Sequence, residues 1–223
     1  MSVIEKYNEI LNSVKEVSKQ ANHHVDILAV SKTQCVEKMT ELALNNVKMF
    51  GESKVQEAVP KIEYLSSKYN DLEFHFIGKV QTNKLKKIVE YFSLIHSVDR
   101  LDVLPLIDKY AHELNKKQNI LIQINIAYEM QKNGIDPVLL DDIIKSALDY
   151  KNITLKGLMF MPPYEEDVTK NIPYFKQAAA LFYKYKNDTF NILSMGMSHD
   201  FKEAVMCGAT LVRVGTSIFG ERV

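Results

Sequence analysis

Cysteine is scarce here: two among 223 residues, Cys35 and Cys207, far apart and in no metal-binding spacing. A disulfide framework is therefore unsupported, and a reducing compartment is the simpler setting. Cys35 reads as a small apolar residue at a helix start rather than as a redox-sensitive thiol. An excess of charge is also missing, with 28 Lys plus Arg against 28 Asp plus Glu. The chain lacks the basic footprint of a nucleic-acid binder, so no such partner is expected. Any anion site must be assembled locally, from a few side chains and backbone amides. No run of about 18 apolar residues occurs, so no membrane span is expected. The amino terminus shows no signal-peptide pattern; Val3, Ile4, Tyr7, Ile10, Leu11, Val14 and Val17 fall on a helical stripe instead. The expectation is a cytoplasmic protein that begins with a helix. Nor is there a Gly/Ser-rich, Pro-rich or low-complexity linker, so residues 1–223 are expected to form one domain.

What the chain does contain is an alternation of short apolar runs and amphipathic stretches. The strand candidates are Val25–Ser31, Val47–Gly51, Glu73–Ile77, Leu94–Val98, Ile120–Ile126, Leu155–Met161, Phe190–Gly196 and Leu211–Gly215. Between them lie helical faces such as Val55, Ala58, Val59, Ile62 and Leu65, with Pro60 inside as a point of kinking. Another is Leu140, Ile143, Ile144, Ala147 and Leu148, opened by Asp136 as N-cap and Pro137 at the first helical position. Strand starts recur every 27 residues or so, roughly enough for a strand, a loop and a helix. Alternating strands and helices imply a parallel sheet. Eight units favour a closed (β/α)8 TIM barrel over a doubly wound open sheet, which the pattern alone leaves open. In such a barrel chemistry belongs at the carboxyl ends of the strands.

Three of those ends are unusual. The first strand closes on Lys32, directed at the barrel mouth. A lysine among apolar neighbours or cations loses its proton more readily and can attack an aldehyde to form a Schiff base. A strand-end lysine reaching solvent is the commoner arrangement, so Lys32 gains meaning only from its neighbours. The second and third ends are Leu193-Ser-Met-Gly-Met-Ser198, with His199 and Asp200 following, and Leu211-Val-Arg-Val-Gly-Thr-Ser-Ile-Phe-Gly220. Ser198 precedes an Asp200…Glu203 capping-box pair, and Gly208 ends the helix after it. Gly215-Thr216-Ser217 opens a short helix. Helix amino termini offer unpaired N–H groups, so two adjacent ones suit a phosphate better than ordinary turns would require. Arg213, a charge within the eighth strand, calls for a partner or a task.

These segments, with Gly51-Glu-Ser-Lys-Val-Gln-Glu57, Phe74-His-Phe-Ile-Gly78, Gln81-Thr-Asn-Lys84, Asn125-Ile126 with Lys132 and Gly134, and Gly157-Leu-Met159, resemble the YggS/PROSC family. Its members are pyridoxal-phosphate-binding proteins of vitamin B6 homeostasis. The resemblance spans nearly the whole chain, from Ala29-Val-Ser-Lys32-Thr33 to Val212–Arg222. It implies an alanine-racemase-like barrel with an extra N-terminal helix, and pyridoxal 5′-phosphate (PLP) as cofactor. It implies further that Lys32 carries the aldimine, that Ser198, Gly215 and Thr216 hold the phosphate with Ser194 a lesser contributor, and that Arg213 faces the pyridine nitrogen. The family often has Gly-Glu-Asn where this chain has Gly51-Glu52-Ser53, so a contact of that Asn side chain is not expected here.

An arginine cannot protonate the pyridine nitrogen as a carboxylic acid would, which weakens the cofactor as an electron sink. Alanine racemases share that arginine but add a β-rich domain with a second acid/base residue; this chain ends at Val223, and no such domain is expected. The expectation is a monomeric, non-catalytic carrier or buffer that passes PLP to apo PLP-dependent enzymes. A small PLP-dependent amino-acid racemase is the alternative, and a sugar-phosphate aldolase with Lys32 attacking the substrate itself a weaker third. His75 and His199 read as hydrogen-bonded structure, and His23-His24 as interacting with the carbonyls that end the first helix. Lys79, Lys84, Lys86 and Lys87 read as a solvated face rather than as a docking surface.

Overall fold

In the computed structural model residues 1–128 and 133–220 are described. Lys132 and Arg222, both within the motifs quoted above, lie outside them. The strands are β1 Asp26–Val30, β2 Met49–Glu52, β3 Glu73–Phe76, β4 Leu94–Val98, β5 Gln118–Ile124, β6 Ile153–Phe160, β7 Ile192–Met197 and β8 Leu211–Val214. Each lies where the apolar pattern puts it, with ends displaced by at most two residues. Neighbours pair in parallel in chain order, and β8 returns to β1 with Leu28 opposite Arg213. That last pairing closes the barrel and rules out the open sheet.

The outer helices are α1 Val3–Ala21, α2 Val36–Leu44, α3 Val55–Ser66, α4 Leu85–Tyr91, α5 Leu104–Glu113, α6 Leu140–Leu148, α7 Ile172–Tyr185, α8 Phe201–Met206 and α9 Thr216–Phe219. α1 precedes the barrel and lies across α8 and α9. Its start is a capping box: the Ser2 hydroxyl accepts from the Glu5 amide, and the Glu5 carboxylate accepts from the Ser2 amide. Its end is held by His23, whose ring nitrogens lie 3.2 Å from the Ala21 carbonyl and 2.9 Å from that of Ala209. The helix thereby reaches the turn before β8.

α3 continues through Pro60 from Val55 to Ser66. Asp136 accepts from the Val138 amide, yet it opens a 3-10 turn, Pro137–Leu139, before α6 begins. Leu148 departs from the expected buried face and is 69% exposed. The stripe Leu140, Ile143, Ile144 and Ala147 already covers the barrel-facing side, and Leu148 ends the helix beyond it. Among the described residues no helix is long and apolar enough to cross a membrane.

Large side chains such as Phe50, Phe92, Phe160, Phe175 and Phe182 fill the space between strands and helices. Each contributes about 1.5–3 kcal/mol by leaving water. The inside of the barrel is different. Leu94, Leu121 and Met159 form a small apolar cluster of their own, while His75, His96, Gln123, Ser194 and Arg213 are buried polar residues of the strands.

Candidate functional site at the carboxyl mouth of the barrel

Strand side chains alternate between faces. Leu28 is registered with Arg213, so Leu28, Val30 and Lys32 share the inward parity while Ser31 faces the helices. Lys32 thus stands half-buried just past the carboxyl end of β1. The residues on either side of it are fastened from behind. The Ser31 hydroxyl donates to Glu52 at 2.8 Å, and the Ser31 carbonyl accepts from Lys61 at 3.2 Å. Lys61 also reaches Glu52 at 3.0 Å and Glu57 at 2.6 Å, and Glu57 accepts from the Thr33 amide. Thr33 is left-handed at φ 65°, a strained conformation for a β-branched residue. The Glu57 contact helps to hold it there.

Glu52 is fully buried, and burial pushes its carboxyl up against the pull of Lys61. Glu52 and Glu57 were legible only as letters of a motif, and Lys61 was not singled out at all. The structure gives two of those letters, and a lysine beyond them, the task of presenting Lys32.

Ser198 and Gly215 meet at the same mouth. The Ser198 hydroxyl oxygen accepts from the amides of Gly215 at 3.2 Å and Ser217 at 3.3 Å. Two N–H groups therefore converge on a single oxygen, the donor arrangement a phosphate oxygen requires. A Cβ on Gly215 would sit 3.3 Å from the Val30 carbonyl, so this turn packs on β1 two residues before Lys32. Thr216, the next residue, is exposed. Gly196 lets β7 turn toward Ser198: it has φ +90°, and a Cβ there would come within 2.6 Å of Ala204.

The Asp200…Glu203 capping box does not form. Asp200 is buried and accepts from the Met197 amide at 2.8 Å and the Asn171 side chain at 3.3 Å. Its carboxylate closes the β7 turn instead of capping α8. His199 lies at the expected helix start, 3.1 Å from the Glu165 carbonyl and stacked on Tyr164.

Arg213 is 4% exposed, and burial pushes its pKa down to about 10, with Asp200 pulling the other way. It donates to the Ser194 carbonyl and hydroxyl, both at 2.8 Å, and to the Phe160 carbonyl at 3.0 Å. Ser194, expected as a lesser phosphate contributor, is bonded within the barrel to Arg213. Its inward parity, four residues before Ser198, directs the hydroxyl at Arg213 and at His96 Nδ1, 3.1 Å away. His96 was missed in the sequence, although it sits at inward parity between Leu94 and Val98. His96 Nε2 is 3.1 Å from His75 Nδ1, and burial foremost drives the His96 pKa well below 6.5.

Residues 6–223 match the family described as alanine racemase, N-terminal domain. A pyridoxal phosphate homeostasis protein of Aquifex aeolicus is 38% identical over 229 residues, covering 100% of this chain and 99% of that one. The chain belongs to the pyridoxal phosphate homeostasis protein family. PipY of Synechococcus elongatus, solved with PLP bound, is 30% identical with a TM-score of 0.87, covering 98% of this chain and all of its own. An alanine racemase of Clostridium difficile is 19% identical with a TM-score of 0.69, and this chain spans 55% of it. That likeness is one of fold.

Proposed function

We propose that the chain binds pyridoxal 5′-phosphate and serves its homeostasis, holding it covalently through the Lys32 amine. The observation that carries this reading is the convergence of Lys32 with the two-amide cradle of Gly215 and Ser217 at one mouth of the barrel. In this reading Ser198, Gly215 and Thr216 receive the phosphate, and Arg213 faces the ring nitrogen while Ser194 orients it. When bound, the cofactor supplies a reactive aldehyde and an electron sink. The residues of the chain fix its phosphate, anchor its carbon and leave its ring nitrogen without an acid, because a guanidinium only donates.

Alanine racemases share that arginine, so preference for a carrier or buffer over an amino-acid racemase rests on the full-length relatives, which are pyridoxal phosphate homeostasis proteins. The same reading covers one domain over residues 1–223, a cytoplasmic monomer, and transfer of the cofactor to apo-enzymes. A screen of amino acids with cofactor-loaded protein separates the two readings. The carrier reading expects no sustained turnover at ordinary enzyme rates, and such turnover of one amino acid would replace it with the racemase. Mixing loaded protein with an apo PLP-dependent enzyme should restore that enzyme's activity, and light scattering should give the monomer mass.

A further inference from the structure

Four buried polar side chains of the barrel interior, with Glu73 at the end, form one chain of contacts. Arg213 meets Ser194, Ser194 meets His96, His96 meets His75, and His75 Nε2 lies 3.5 Å from Glu73. Glu73 begins β3, so this end lies at the amino mouth of the barrel. There a cavity of about 610 Å³, lined by Asp26, Glu73, His75 and Leu94 among others, opens opposite the Lys32 mouth. Every one of His75, His96, Ser194 and Arg213 is buried.

The direction of this chain follows from which atoms are able to donate. A guanidinium only donates and a carboxylate only accepts. With His75 neutral, its Nε2 carries the hydrogen toward Glu73 and its Nδ1 accepts. His96 must then donate from Nε2 and accept at Nδ1, and burial keeps it in the neutral form this needs. Among the described residues the donor facing Nδ1 is the Ser194 hydroxyl, whose lone pairs are thereby turned to Arg213. Each group has one role, and none conflicts with its neighbour.

Barrel interiors are ordinarily packed with branched apolar side chains, and buried polar groups weigh against stability even when paired. A polar thread that ends on Arg213 therefore calls for a reason beyond packing. We propose that His96 is a positioning residue for the bound cofactor, fixing Arg213 through Ser194 and itself fixed through His75 to Glu73 at the opposite mouth. The proposal rests on the reading that Arg213 faces the cofactor ring.

The test titrates PLP into wild type, His96→Leu, His96→Asn, Ser194→Ala and the His96→Leu/Ser194→Ala double variant. Affinity and the pH profile of the visible band are read, with circular dichroism as the control for folding. His96→Leu should bind PLP about tenfold more weakly, the upper end of what one neutral hydrogen bond is worth. Its band should also shift its pH profile. Asn can place an acceptor near the position of Nδ1, so His96→Asn should stay within about twofold of wild type. The double variant should be no weaker than the weaker single one, because both cut the same thread. A folded His96→Leu with wild-type affinity and profile would overturn the proposal, as would losses that multiply in the double variant. If His96→Leu does not fold, Ser194→Ala with an unchanged affinity and profile does the same. A wild type without a borohydride-sensitive band defeats the cofactor reading itself, which keeps the two failures apart.

Discussion

Arg213 on β8 meets Ser194 on β7 twice, at the carbonyl and at the hydroxyl, both 2.8 Å away. The hydroxyl is shared with His96, so its loss strands a guanidinium N–H and an imidazole nitrogen together. Ser194→Ala should therefore lower stability by about 1–3 kcal/mol, although it removes a single oxygen. Urea unfolding of the cofactor-free protein checks this, and an unchanged midpoint would mean the contact contributes nothing.

A second relationship holds Lys32 in place. Lys61, 11% exposed, bridges Glu57 and the fully buried Glu52 behind the β1 turn. Lys61→Met leaves the Glu52 charge buried without its partner, at about 3–5 kcal/mol. Burial already raises the Glu52 carboxyl, and losing Lys61 raises it further. A raised carboxylate gives stability that is present in acid and lost as pH rises through the folded value, so the defect should deepen from acid toward neutral pH. Adding Glu52→Gln should recover part of it. Urea unfolding at several pH values, together with the fraction of covalently held PLP, measures both effects.

The buried His96 predicts a pH dependence of its own. Burial foremost, with the charge of Arg213 acting the same way, keeps it neutral in the folded chain well below 6.5. Below about pH 6.5 the unfolded chain therefore holds one proton more than the folded chain. Stability should fall as pH drops through that value, by at most about 1.4 kcal/mol per pH unit from this group. His96→Leu should flatten that slope in denaturant titrations at successive pH values, and an equal slope in both proteins would mean His96 is protonated in the fold.

The barrel was legible because its strands are continuous apolar runs, the mark of a sheet covered on both faces. Lys32, Ser198 and Gly215 stood out as candidates because they stand where such strands end. The interior chain was not legible. His96 and His75 each look like a lone histidine in an apolar strand, and only the closed sheet brings β3, β4, β7 and β8 within reach of one another. The contacts of Ser194 with Arg213 and His96 were not legible either, because its partners lie on β8 and β4. The Asp200 capping box failed, since the β7 turn offers the carboxylate the Met197 amide first.

The central claim is that Lys32 holds the cofactor. Purified protein should be incubated with PLP, reduced with borohydride, and its intact mass and proteolytic peptides measured beside Lys32→Ala. One reduced pyridoxyl phosphate group per chain, carried on the Lys32 peptide and absent from the variant, is the result predicted. An adduct on another lysine, or equal labelling of both proteins, would contradict it.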